Sequence, residues 1–199
     1  RGLYAADITF PSDGRWGTRF NATFPDGSTQ TVRADYDVLA EPITPAIGAP
    51  APSVDTPTAD DVGGDLAKLS SDRDPEPRFY ETSIADALAA KEPFVVVFAT
   101  PAFCETAMCG PILETVKAVA ADHPDLTFIN VEPYLMEMRD GSLQPILDAT
   151  GELQPAAWTT AWNLLTEPYV AVVDGTGSVW AKFEGALAAE ELSAAIEAL

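Results

Sequence analysis

Histidine and cysteine are scarce in this chain: 199 residues contain one histidine and two cysteines. The single histidine, His123, sits in the turn-like segment ADHPD, and no nucleophile elbow is present, which argues against Ser/His/Asp hydrolysis. Two cysteines are too few to establish an oxidising compartment. Basic residues are also few, 11 Lys and Arg against 31 Asp and Glu, for a net charge of −20. Phosphate binding needs a basic patch, so nucleic acid is excluded as an expected partner, and anionic membrane surfaces are equally poor ones. The acidity reads as a solvated surface. Long hydrophobic runs are missing: FVVVFA, near the middle, falls far short of the roughly 18 residues of a membrane span. No signal peptide is visible. The first residue is Arg1 rather than Met, and the expectation is a processed or trimmed exported protein, secreted, periplasmic or anchored through a preceding segment.

The chain does have ample material for a core, with 47% hydrophobic residues, and a length suited to one or two domains. Residues 1 to about 40 alternate with period two: Tyr4, Ala6, Ile8 and Phe10, then Trp16, Phe20, Ala22 and Phe24, then Val32, Ala34, Tyr36 and Val38. Such alternation marks half-buried antiparallel strands, and Pro11–Gly14 and Pro25–Ser28 supply turns between them. Trp16 and Tyr36 are expected to be buried. The stretch GLYAADITFPSDGRWGTRFNATFPDG resembles the later strands of immunoglobulin-like β-sandwich domains, so residues 1–44 are expected to form a partial sandwich segment. Asn21-Ala22-Thr23 fits a glycosylation sequon but falls mid-strand. Residues 45–80 are rich in Pro, Ala and Asp and read as a linker or extended lead-in.

From about residue 81 the pattern alternates between helix and strand. Ser83 is placed to cap a short helix. Phe94–Ala99 is a continuous apolar strand, as expected where both faces of a sheet are covered. Gly110 opens a helix with Ile112, Val116 and Val119 on one face. Strands follow at 126–131, 169–173 and 178–183, and a last helix carries Leu192, Ala195, Ile196 and Leu199 at helical spacing.

Both cysteines, Cys104 and Cys109, lie in FATPAFCETAMCGP, directly after the first of these strands and directly before the helix. A helix N-terminus presents unpaired N–H groups and a positive dipole end. That field favours the thiolate, the reactive form of cysteine. Residues five apart in a continuous helix lie too far apart for a disulfide, whose Cα–Cα separation is at most about 7 Å. Cys104 is therefore expected in the loop and Cys109 in or near the first helical turn.

The element order, with VVVFATPAFC leading into Cys109-Gly110-Pro111 and with the later stretch TEPYVAVVDGTGSVWAKFEG, resembles the thioredoxin-like superfamily over residues 81–199. The resemblance implies an α/β fold, a central mixed sheet flanked by helices, here preceded by a small antiparallel β segment. It also implies candidate catalytic residues Cys104, Cys109 and Pro168, the last in the place of the family's cis-proline beside the cysteine pair. The implied activity is extracytoplasmic thiol–disulfide exchange on a protein disulfide or dithiol partner. No metal or organic cofactor is required.

Three departures from the family pattern stand out. Four residues rather than two separate the cysteines. If the strand sets the alignment Cys104 is the attacking thiol, and if C-G-P sets it Cys109 is; the strand alignment is preferred. The buried acid that many thioredoxins carry is replaced by Val97, leaving Glu105 as a possible aid from the loop, and Phe103 keeps the aromatic–cysteine pairing or serves as a rim hydrophobe. The stretch between Val131 and Pro168 is long, and its Trp158 and Trp162, spaced i, i+4, read as core. Two alternatives remain: a non-catalytic module whose disulfide staples a loop, or Cu(I) handling by the cysteines with Met108, Met136 or Met138. An intramolecular Cys104–Cys109 disulfide is expected in the oxidised chain.

Overall fold

The computed structural model describes residues 8–199, and the chain divides into two compact units, Arg1–Pro42 and Ile43–Leu199. The first is a hairpin of β1 (Gly14–Thr23) and β2 (Thr29–Val38), paired antiparallel with Trp16 opposite Tyr36 and Phe20 opposite Val32. Period-two alternation places Trp16, Phe20, Ala22, Val32, Ala34 and Tyr36 on one face and Arg15, Arg19, Arg33, Asp35 and Asp37 on the other. The turn is local chemistry. The Asp26 carboxylate accepts from the Ser28 N–H and hydroxyl at 2.9 and 2.6 Å, and Gly27 adopts φ 81°, a left-handed conformation that costs glycine little. Trp16 and Tyr36 are half-buried rather than buried. A two-stranded ribbon covers one face only with its own side chains, and here those two rings pack on Phe10 with centroids 5.5 Å away. Tyr4 and Ala6 lie outside the described residues.

The second unit is an α/β fold with a mixed central sheet flanked by helices, consistent with the fold the resemblance implies. Its elements in order are α1 (Ile84–Ala90), β3 (Phe94–Phe98), α2 (Cys109–Asp122), β4 (Thr127–Val131), the hairpin β5 (Met136–Arg139) and β6 (Ser142–Pro145), α3 (Ala157–Ala161), β7 (Tyr169–Val173), β8 (Val179–Glu184) and α4 (Ala189–Glu197). The four-stranded sheet runs β4-β3-β7-β8. β3 and β4 are parallel across the α2 crossover, whereas β7 is antiparallel to both β3 and β8.

Every residue of β3 and β7 is buried, because the two sheet faces feed separate cores. Val95, Val97, Val170 and Val172 meet α2 and α4 through Ile112, Leu113, Val116, Leu192 and Ile196. Phe94, Val96, Phe98, Tyr169 and Ala171 meet α1 and Trp162 on the other side. This two-sided burial is why the strands read as unbroken apolar runs. Trp162 is fully buried and Trp158 partly so, and the Trp158 indole N–H donates to the Glu132 carbonyl at 2.7 Å.

The Pro-rich stretch 45–80 is irregular chain with three short 3-10 turns, Asp60–Val62, Leu66–Lys68 and Pro77–Tyr80. It is part of the second unit and packs on its cores rather than serving as a free linker. Pro50 bridges to Ser178, Ala51 and Thr56 are buried, and Phe79 and Tyr80 belong to the α2-side core. Both core clusters fall wholly within Ile43–Leu199. A chain shortened to begin at Ile43 is therefore expected to fold and to unfold in one cooperative transition. Thermal melting followed by circular dichroism checks this, and a broad, non-cooperative melt would show that the hairpin is needed.

Candidate redox site

β3 delivers the chain to the site. Beyond Phe98, Ala99 and Thr100 stay buried, and a turn closed by Phe103 N–H donating to the Thr100 carbonyl at 3.1 Å brings Cys104 to the edge of the fold. The intervening residues make a tight loop in which Ala107 adopts φ 58°, rare for a residue with a side chain. Met108 is the N-cap of α2 and Cys109 its first residue. Pro111 fits there because the first turn of a helix needs few of its own N–H groups. Cys104 thus sits in the loop, partly exposed, and Cys109 sits at the helix start, fully buried; both are free thiols.

One unpaired N–H group at the start of α2 finds the sulfur. Cys109 N–H donates to Cys104 Sγ at 3.3 Å, and the Thr106 hydroxyl lies 3.3 Å from the same sulfur. Burial alone would raise the Cys104 pKa. Hydrogen bonds from the Cys109 side chain, from Thr106 and from their backbones outweigh it and hold the thiol below its usual value. Cys109 goes the other way: burial pushes its pKa far up, and the neighbouring Cys104 sulfur adds to the effect. One sulfur is therefore the better thiolate and the other a protected thiol.

The loop before β7 closes the site. Glu167–Pro168 is the cis peptide bond the resemblance implies. The Thr106 hydroxyl donates to the Glu167 carbonyl at 3.4 Å, and Pro168 is buried at the head of β7. Glu167 is only 6% exposed. Tyr134 OH donates to its Oε2 at 2.6 Å. Cys104 Sγ, Cys109 Sγ and a Glu167 carboxylate oxygen all lie within 4.8 Å of one another.

Other residues singled out in the sequence are placed differently. Glu105 is exposed, Phe103 is half-buried at the rim, and Val97 is fully buried in the apolar core. His123 caps the far end of α2, 14 residues from Cys109, which at 1.5 Å per residue is about 21 Å. Met138 is exposed on β5. Glu167 and Tyr134 were not singled out from sequence as partners of the cysteines. The signal for Glu167 was its position immediately before a candidate cis-proline; Tyr134 carries no local signal, because it is brought in by the insertion after β4.

No family model matches the chain, and no curated protein matches it. Among solved structures, MTB DsbF in its mixed oxidized and reduced forms is similar at 22% identity and a TM-score of 0.42, over 59% of this chain and 86% of that one. Among the described residues, no helix is long and apolar enough to cross a membrane.

Proposed function

We propose that the chain is an extracytoplasmic thiol–disulfide oxidoreductase, with residues 81–199 as its thioredoxin-like domain and Cys104 as the attacking thiol. The observation that carries this reading is the asymmetry of two adjacent sulfurs. Cys104 is accessible and receives the Cys109 N–H and the Thr106 hydroxyl, while Cys109 is buried behind it. The thiolate is the nucleophile in exchange, and a helix N-terminus stabilises it.

Cys104 attacks a substrate disulfide RS–SR′, forming a Cys104–SR bond and releasing R′S⁻. The Cys109 sulfur then attacks Cys104 Sγ, the Cys104–Cys109 bond forms, and the departing RS takes the Cys109 proton as RSH. Two electrons pass from the pair to the substrate, and the reverse sequence oxidises a dithiol. The loop at Glu167–Pro168, which touches the cysteine loop through Thr106, would lie beside the partner's backbone. The β1–β2 hairpin is proposed to belong to an immunoglobulin-like β-sandwich segment, supported by its one-sided apolar pattern with Phe20 and Val32 about half exposed.

The asymmetry predicts an order of modification. Limiting iodoacetamide at neutral pH should label Cys104 well before Cys109, as read by peptide mass spectrometry of the reduced chain. Equal labelling would remove the support for Cys104. The direct test of function is exchange with a model disulfide: measurable turnover that depends on both cysteines is expected, and none at all would leave the loop-stapling alternative.

A further inference from the structure

The exchange reaction uses two sulfurs and leaves a buried carboxyl group beside them without a role. A carboxylate as buried as Glu167 is costly unless it is paired. One oxygen, Oε2, receives the Tyr134 hydroxyl. The other, Oε1, is buried and has no hydrogen-bond partner among the described residues. No Lys or Arg pairs with Glu167 among the described residues either. The uncompensated carboxylate shares its space with both sulfurs, all three groups within 4.8 Å.

We propose that Cys104, Cys109 and Glu167 form a zinc-binding site in the reduced chain. Two thiolates and a carboxylate are zinc ligand types, and three protein ligands with an open fourth position are the usual composition of an accessible zinc site. The ligands are already oriented from behind. Tyr134 fixes the carboxylate, and Cys109 N–H and the Thr106 hydroxyl fix the Cys104 sulfur, which is the outer-shell arrangement that metal ligands require. The partial exposure of Cys104 gives the ion access and leaves the fourth position to water. The net charge of −20 raises the local concentration of cations.

Zinc suits this donor set better than Cu(I). A carboxylate oxygen is a hard ligand, whereas Cu(I) selects soft sulfur, and His123 lies at the other end of α2. Binding displaces the thiol protons and changes no oxidation state. A Cys104–Cys109 disulfide removes both sulfur donors, so the ion and the disulfide exclude each other, and bound zinc holds the pair reduced. The site shares its sulfurs with the proposed exchange reaction but needs no exchange activity to exist.

The experiment is calorimetric titration of zinc into the full chain, reduced and oxidised, with Glu167→Gln and Tyr134→Phe alongside. One ion per reduced chain is expected, with proton release, and none per oxidised chain. Glu167→Gln keeps the size of the side chain and removes its charge; it should weaken binding by at least about tenfold, the low end of what losing even an outer-shell partner costs. A reduced chain that binds no zinc, binding that survives oxidation, or unchanged affinity in Glu167→Gln would each overturn the site. Should circular dichroism show that Glu167→Gln does not fold, Tyr134→Phe carries the test: weaker binding supports the site and unchanged affinity overturns it. Exchange with a model disulfide, assayed with a chelator present, reads the redox proposal alone, so either proposal can fail without the other.

Discussion

Replacing Cys109 with serine should leave the chain covalently joined to its substrate. With Cys109→Ser, Cys104 still attacks, because its access and its contact with the Thr106 hydroxyl do not depend on the second sulfur. Its bond to the Cys109 N–H survives too, because that donor is backbone. No sulfur then remains to resolve the mixed disulfide, and the adduct accumulates. Cys104→Ser should instead reduce exchange to the uncatalysed background, since Cys109 is fully buried and its pKa is raised by that burial. Non-reducing electrophoresis and mass spectrometry of the variants with a disulfide peptide distinguish the outcomes. Adducts through Cys109 in Cys104→Ser, and none in Cys109→Ser, would exchange the two roles and favour the alignment set by Cys109-Gly110-Pro111. Full exchange in both variants would remove the oxidoreductase reading.

The largest stability effect is expected from Phe79→Ala, outside any regular strand or α-helix. Phe79 is 1% exposed and stacks on Phe128 with centroids 5.5 Å apart and planes 14° from parallel. The Arg78 guanidinium lies over both rings, at 5.9 and 5.4 Å from their centroids. Truncating a buried phenylalanine costs about 3–5 kcal/mol through lost transfer energy and a residual cavity. Urea unfolding of the variant should show a loss in that range with an unchanged slope. A loss near 0.5 kcal/mol, typical of surface positions, would mean that the Pro-rich stretch can detach without disturbing the core.

That stretch shows where sequence pattern stops being informative. Repeated prolines between residues 45 and 80 rule out long helices and suppress periodicity, so its buried residues carry no repeating signature. Phe79 and Tyr80 read as isolated aromatics until the fold places them against α2 and Phe128. The β3 and β7 strands were legible for the opposite reason. Burial on both faces demands unbroken runs of apolar residues, and few other arrangements tolerate FVVVF or YVAVV. The hairpin was legible through its alternation and the Asp26-Gly27 turn, but the degree of burial at Trp16 and Tyr36 was not. Alternation states which side chains share a face and says nothing of what covers them.

The sequence by itself determined the α/β order and the placement of Cys104 in a loop and Cys109 at a helix start, because five residues of separation cannot be spanned by a disulfide within one helix; the cis bond before Pro168 followed from the resemblance and not from chain geometry. Tertiary structure alone decided what surrounds the sulfurs. Glu167 and Tyr134 lie 58 and 25 residues beyond Cys109 (167 − 109 and 134 − 109), on the β7 approach and on the insertion after β4, and no short-range pattern links them. Only the packing of three separate segments around the start of α2 brings a buried carboxylate within 4.8 Å of two thiols. The same packing sets the asymmetry of the sulfurs, because burial raises the Cys109 pKa and hydrogen bonds in the loop lower that of Cys104.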